Sequence, residues 1–410
     1  MLKPALLAVT VGLGLAISAS LPVPLDPLLG SSSAHDSAAH DSAARDSASR
    51  LQQQVQARLN DFQNSNGFPG ATMAVVLPDG IEFAVAAGLS DVDNKIAMRA
   101  NDRMLAGSIG KTFFATIFLR MISAGQMHLD DKISIWLKDE PWFQHLPNAN
   151  DITVRMLMNH TSGIPEYAEL PTFSKDLAAN PDKDWPPEEL LSYILDKPAP
   201  FPAGQGWSYA DANYLVLGIA AEKILHHRLY DDIDRTILKP LRLESTRPST
   251  ARVLPGLITG YSMPDSPFPV AGAMLRDGKL VFNPKFEWTG GGFLSNSSDL
   301  ARWAFDLYGG KVLTTAELRV MEAGVPAKTG KNDEYGLGVQ IRHTDFGVTY
   351  GHGGWFPGYL SEMEYFPEYH VAIAMQINTD DFAKTKGIPH RYIVELARAI
   401  LPEIGKRSAE

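Results

Sequence analysis

The chain contains no cysteine, which excludes disulfides, thiolate metal ligands and a lipid-modified N-terminal cysteine. Positive charge is scarce. With 37 Lys and Arg against 47 Asp and Glu, the formal net charge is −10, and a nucleic-acid partner is not expected, because binding phosphates needs a basic face. Long apolar runs are missing too. The stretch from Ala5 to Ile17 falls short of the roughly 18 apolar residues that suggest a membrane span. Preceded by Lys3 and followed by the small residues Ser18, Ala19 and Ser20, it reads as an export signal over residues 1–20, with no transmembrane segment after it. A periplasmic or secreted protein is expected. There is no His-Glu-x-x-His pattern or carboxylate cluster that demands a metal, and no cofactor is implied.

What is present is an ordinary globular composition, 45% hydrophobic, across 410 residues, enough to bury a substantial core. The tract "SAHDSAAHDSAARDSASR" repeats Asp36, Asp41 and Asp46 at a fixed step without an apolar face, so residues 21–50 read as a low-complexity, flexible linker. Its histidines, His35 and His40, have nothing nearby to fix them as metal ligands. An amphipathic helix is predicted around Leu51 to Phe62. "ATMAVVLPDGIEFAVAAG" follows, a hairpin signal hinged on Pro78-Asp79-Gly80. From about 130 to 280 the chain is rich in Pro, Trp and helical segments with little strand character. Strand signals return in "EYGLGVQIRH", "GVTYGHGG", "GYLSEMEYF" and "HVAIAMQIN", and "HRYIVELARAIL" closes the pattern as a helix. These features predict an α+β domain over residues 51–402: an antiparallel sheet built from both termini, flanking helices and an α-rich insertion, with 403–410 as a tail.

One stretch, "MLAGSIGKTFF" (Met104 to Phe114), admits three chemistries. A phosphate-binding loop needs glycine five residues before Gly110, where Leu105 stands. A nucleophile elbow, with Ala106 in place of the first glycine, needs parallel βα units that the middle of the chain does not supply. The third is Ser108-x-x-Lys111. Three residues apart on a helix, the two side chains share a face, and an amine can accept a serine proton when its surroundings lower its pKa. That pattern alone is weak and requires partners.

Two later segments offer them. "FPAGQGWSYADANYLVLG" places Tyr209 and Asp211 just before a helix, and "YGHGGWFPGY" places His352, Gly353 and Gly354 on a strand. With Ser108 and Lys111, these resemble the three motifs of the serine β-lactamase-like superfamily, the penicillin-recognising hydrolases that include class C β-lactamases, D-Ala-D-Ala carboxypeptidases, D-aminopeptidases and esterases. "ITVRMLMNHTSGIP", "GGGFLSNSSDLARWA" and "LDDKISIWL" are similar to further family segments, so the resemblance runs from about Leu51 to Leu401. It implies a β-lactamase/transpeptidase-like fold and an acyl-enzyme on Ser108. Lys111 is then the base or a partner in proton transfer, and Tyr209 relays a proton to the leaving group. The backbone N–H groups of Ser108 and Trp355 form the oxyanion hole, and Gly353 and Gly354 let substrate approach the strand edge.

Two of the motifs depart from the family pattern. Asp211 stands where asparagine is usual, and a carboxylate there would hold Lys111 charged. His352 and Gly353 stand where Lys-Thr is usual; a histidine holding a substrate carboxylate should release it as pH rises through about 6.5. The resemblance implies a small peptide, ester or β-lactam as substrate, with D-alanyl peptides of cell-wall type foremost. An esterase, a weak β-lactamase or a non-catalytic binder of peptidoglycan or protein are the alternatives.

Overall fold

The computed structural model describes residues 32–405 apart from Pro269, with side chains from Arg45 onward. The export-signal segment lies outside the described residues. The described residues from Ala48 onward form one compact unit.

The first helix runs from Ser32 to Asn66, so residues 32–50 are helical where a flexible linker was expected. The reason is composition: the tract contains neither Gly nor Pro after Gly30, and alanine, its commonest residue beside serine, is the strongest helix former. Ala48, Leu51, Val55, Leu59 and Phe62 recur at helical spacing and are all buried.

A nine-stranded antiparallel sheet forms the centre. In chain order its strands are β1 (Gly70–Val76), β2 (Glu82–Asp91), β3 (Ile96–Ala97), β4 (Val325–Pro326), β5 (Glu334–Tyr335), β6 (Gln340–Thr344), β7 (Gly347–Phe356), β8 (Tyr359–Phe366) and β9 (Val371–Ile377). Across the sheet the order is β4-β5-β6-β7-β8-β9-β1-β2-β3. The two termini therefore meet at β1 and β9, where Ala74 lies opposite Ala374. The hairpin at Pro78-Asp79-Gly80 is present, with Val76 paired to Glu82. All of β1 is buried because both faces of the sheet are covered. Ala71, Met73 and Val75 face the first helix and the closing helix His390–Ile404, while Ala74 and Val76 join the larger core on the other side.

That larger core contains the helix Gly110–Ser123 and the helix Ser297–Tyr308, whose first turn is capped by Asn296 accepting the Asp299 N–H at 2.9 Å. The two are joined by Trp303, which stacks on Phe113 at 4.3 Å and donates its indole N–H to Thr112 Oγ1 at 2.7 Å. Between residues 134 and 241 the named elements are helices, among them Asp211–Leu225, which ends on a left-handed His226.

Candidate active site

The strand Met104–Leu105 pairs with Phe293–Ser295, which brings the run Gly290-Gly291-Gly292 against the turn that carries Ser108. Ser108 sits in a 3₁₀ turn, Gly107–Ile109, that continues directly into the helix Gly110–Ser123. Glycine at three points makes this packing possible. Gly107 has φ +52° and lies against β7, where a Cβ would be 2.6 Å from the Trp355 nitrogen. At Gly110 a Cβ would lie 1.5 Å from the Gly291 carbonyl oxygen, and at Gly354 it would lie 1.9 Å from that of Ala106. Gly354 thus seats the nucleophile turn on the strand, a different reason for glycine than the substrate approach expected from sequence. Gly353 lines the cavity, and its N–H is held by Gln340 Oε1 at 2.9 Å.

Lys111 is fully buried, and its ammonium donates to Ser108 Oγ at 3.1 Å, to Asp211 Oδ1 and to the Gly290 carbonyl. Burial pulls its pKa down, the Asp211 carboxylate and Tyr209 pull it up, and the net displacement is upward. The ion pair that Asp211 implied is therefore present. Asp211 is the first residue of its helix, with Ala210 at the cap, so its side chain faces Lys111 instead of serving as an N-cap.

The Tyr209 hydroxyl is buried beside Ser108 and Lys111 without a bond of normal geometry to either. Lys111 Nζ lies 4.8 Å from the centre of its ring. Burial pushes the phenol up to about 12, with the Lys111 cation opposing. The His160 ring packs against Tyr209 with centres 4.2 Å apart and a tilt of 31°, and its Nδ1 accepts the Ala210 N–H at 3.3 Å, so the "NHTSGIP" segment is scaffold that orients the tyrosine.

His352 does not behave as the sequence suggested. It is 1% exposed, its Nε2 meets the Tyr335 hydroxyl at 2.8 Å and its Nδ1 donates to the Gly353 carbonyl. Burial, with the Lys111 charge, drops its pKa to about 3, so it is neutral across the physiological range and cannot be a titrating partner for a substrate carboxylate.

Sequence reasoning missed two glutamates. Glu166 accepts the backbone N–H groups of Tyr167 and Ala168, each at 2.7 Å, and that of Asp211. Glu287 is buried behind the glycine run with Oε2 unpartnered. Burial and the adjacent Asp211 charge push each carboxyl up to about 8. Neither carries a local signal for this role, since each bears on Asp211 from 45 residues or more away in the chain. Also missed was Arg342 of β6, which is 3% exposed and binds Glu362 and Glu364 at 2.9 Å each and Gln340 Oε1.

Ser108, Tyr209, Asp211, His352, Gly353, Gly354 and Trp355 all border one open cavity of about 460 Å³. Its floor is a serine within hydrogen-bond reach of a buried, charged lysine, an arrangement suited to acyl transfer. Residues 51–398 match the family described as Beta-lactamase. The chain belongs to that family. It is 23% identical to Penicillin-binding protein 4* of Bacillus subtilis (strain 168), over 80% of this chain and 72% of the relative. It is likewise 23% identical to a "Putative D-alanyl-D-alanine carboxypeptidase" of Escherichia coli O157:H7, over 89% of this chain and 88% of that one. Among solved structures, the D-stereospecific amidohydrolase from Streptomyces sp. superposes with a TM-score of 0.71 at 27% identity, covering 82% of this chain and 97% of that one. This member of the Beta-lactamase family has the α+β, β-lactamase/transpeptidase-like fold. Among the described residues no helix is long and apolar enough to cross a membrane.

Proposed function

We propose that the chain is an exported serine peptidase that cleaves D-alanyl peptides of cell-wall type through an acyl-enzyme on Ser108. The observation that carries this reading is the 3.1 Å contact between Ser108 Oγ and the buried Lys111 ammonium, itself bonded to Asp211. As Ser108 Oγ bonds to the substrate carbonyl carbon, its proton passes to Lys111 Nζ while Lys111 hands one to the Asp211 carboxylate. Negative charge develops on the carbonyl oxygen, which the N–H groups of Ser108 and Trp355 receive; such donors contribute about 3 kcal/mol each. The C–N bond then breaks, Tyr209 supplies the proton to the departing amine, and it recovers one from the Lys111–Asp211 pair. Water entering from the open cavity hydrolyses the ester in the reverse sense.

A second reading, hydrolysis of D-amino acid amides, is favoured by one feature. Glu166 stands on the cavity wall, and a substrate ammonium docked there would draw off its proton.

Intact mass after brief exposure to a penicillin, a D-alanyl thioester and a nitrophenyl ester tests the mechanism. The expected result is an adduct on the wild type and none on Ser108→Ala, with turnover abolished in the variant. Retained turnover in Ser108→Ala rejects the acyl-enzyme. A D-Ala-D-Ala peptide against D-alanine amide separates the two substrate readings.

A further inference from the structure

The cavity that holds Ser108 is rich in acid. Glu166, Asp211 and Glu362 all border it, and the Glu362 Oε2 atom is buried without a hydrogen-bond partner. Glu166 is neutral below about pH 8, and Asp211 and Glu362 are paired with Lys111 and Arg342, so a substrate that ends in a carboxylate needs a cation that the protein has not already balanced. Three basic side chains line the cavity: His352, Arg342 and Lys328. His352 is buried, neutral and tied to Tyr335. Arg342 is buried between Glu362 and Glu364, with Asp333 at 3.9 Å, so its charge is already balanced by the protein. Lys111, deeper still, has its three protons committed to Ser108, Asp211 and Gly290.

Lys328 is different. It is exposed at the rim and takes part in no ion pair among the described residues. Its loop spans residues 327–333, between β4 and β5 at the sheet edge. The loop is closed by Ala327 N–H donating to the Asp333 carbonyl at 3.0 Å and by Thr329 Oγ1 donating to Asp333 Oδ2 at 3.0 Å. Asp333 is itself buried next to Arg342. Lys328 thus sits on a short loop anchored to the buried charge cluster and borders the cavity together with Thr329, whose one hydroxyl proton is already given to Asp333.

We infer that Lys328 is the specificity-determining cation of this site: it receives the terminal carboxylate of the substrate, a role the strand position occupied by His352 does not perform. This rests on the reading of the protein as a peptidase for D-alanyl peptides. It assigns the selection of a free C-terminus to a loop lysine outside the catalytic group. A lysine at the rim acts as a point charge, so arginine can replace it and a neutral side chain cannot.

The test separates this inference from the reading beneath it. Binding of an N-acylated D-Ala-D-Ala peptide and of its C-terminal amide is measured by calorimetry on Ser108→Ala, where no acylation intervenes. The expected result is that the free acid binds more tightly than the amide. Adding Lys328→Gln should weaken the free acid about ten-fold and leave the amide unchanged, and Lys328→Arg should restore the preference. Equal weakening of both ligands, or a preference for the acid that survives Lys328→Gln, overturns the inference. Turnover of the same peptide by wild-type protein is scored separately. Absence of turnover with an intact acid preference rejects the peptidase reading and leaves the carboxylate site standing.

Discussion

Lys111 Nζ has three protons, and each has an acceptor, so the residue enters the reaction as a cation already bonded to the oxygen that must become a nucleophile. Three carboxyl groups surround that cation: Asp211 in direct contact, with Glu166 and Glu287 bearing on the Asp211 charge. Burial and Asp211 raise both glutamates to about 8, so below that pH they are neutral and Lys111 answers to a single carboxylate. As pH rises through about 8 each gains a negative charge. That charge tightens the hold on the Lys111 proton and opposes charge building on the substrate oxygen, so the rate falls as pH rises. The expected profile of kcat/KM for an uncharged thioester has an alkaline limb near pH 8, with a drop of about ten-fold beyond it. Glu166→Gln should move that limb upward, and an unmoved limb would remove Glu166 from its cause. Between about pH 5 and pH 7 the profile should show no histidine step, because His352 is held neutral down to about 3. The four residues of the Ser-Lys and Tyr-Asp motifs were legible in sequence because each motif is local. The charge on His352 was misread because burial is a property of the whole sheet, and a Gly-His-Gly-Gly string does not reveal which side of it will be covered.

At the scale of elements, the site is a junction of three backbones: the nucleophile turn, the glycine run Gly290–Gly292 and β7. Their separation is set by glycine and leaves no room for a methyl group at Gly110 or Gly354. Gly354→Ala therefore has to push the turn carrying Ser108 off the strand carrying Trp355, since the obstructing atom is a backbone carbonyl and not a movable side chain. The Ser361 hydroxyl, which donates to that same Ala106 carbonyl at 2.6 Å, is displaced with it. A misplacement of about 1 Å in such a site lowers kcat about 100-fold. The expected outcome for Gly354→Ala is that loss with the circular dichroism of the folded protein retained; activity within two-fold of wild type would mean the junction is more compliant than its geometry indicates. The hairpin, the late strands and the closing helix were legible from alternation and turn residues. The meeting of β1 with β9 was anticipated from strand signals at both ends. The register and the glycine contacts were not, because they join segments hundreds of residues apart.

At the scale of the whole molecule, the question is where the folded unit begins. The helix from Ser32 to Asn66 crosses that boundary, and its contribution to the core starts at Ala48. The low-complexity tract looked structureless because it has no apolar face, yet a helix needs no apolar face where alanine supplies the propensity. Such a segment adds little to the stability of the unit that follows. A protein beginning at Ala48 should keep its kinetic constants and melt within a few degrees of the full chain. Removal through Asn66 is a different matter. It uncovers the side of the sheet against which Leu51, Val55, Leu59 and Phe62 are buried. Each such side chain contributes about 1.5–3 kcal/mol by burial, so the four together approach the roughly 5–15 kcal/mol that holds a whole domain folded. The shorter protein is expected to be insoluble or unfolded, and differential scanning calorimetry of the two truncations decides the matter. A cooperative transition in the version lacking residues 1–66, close to that of the full chain, would mean that the closing helix His390–Ile404 covers this face of the sheet by itself.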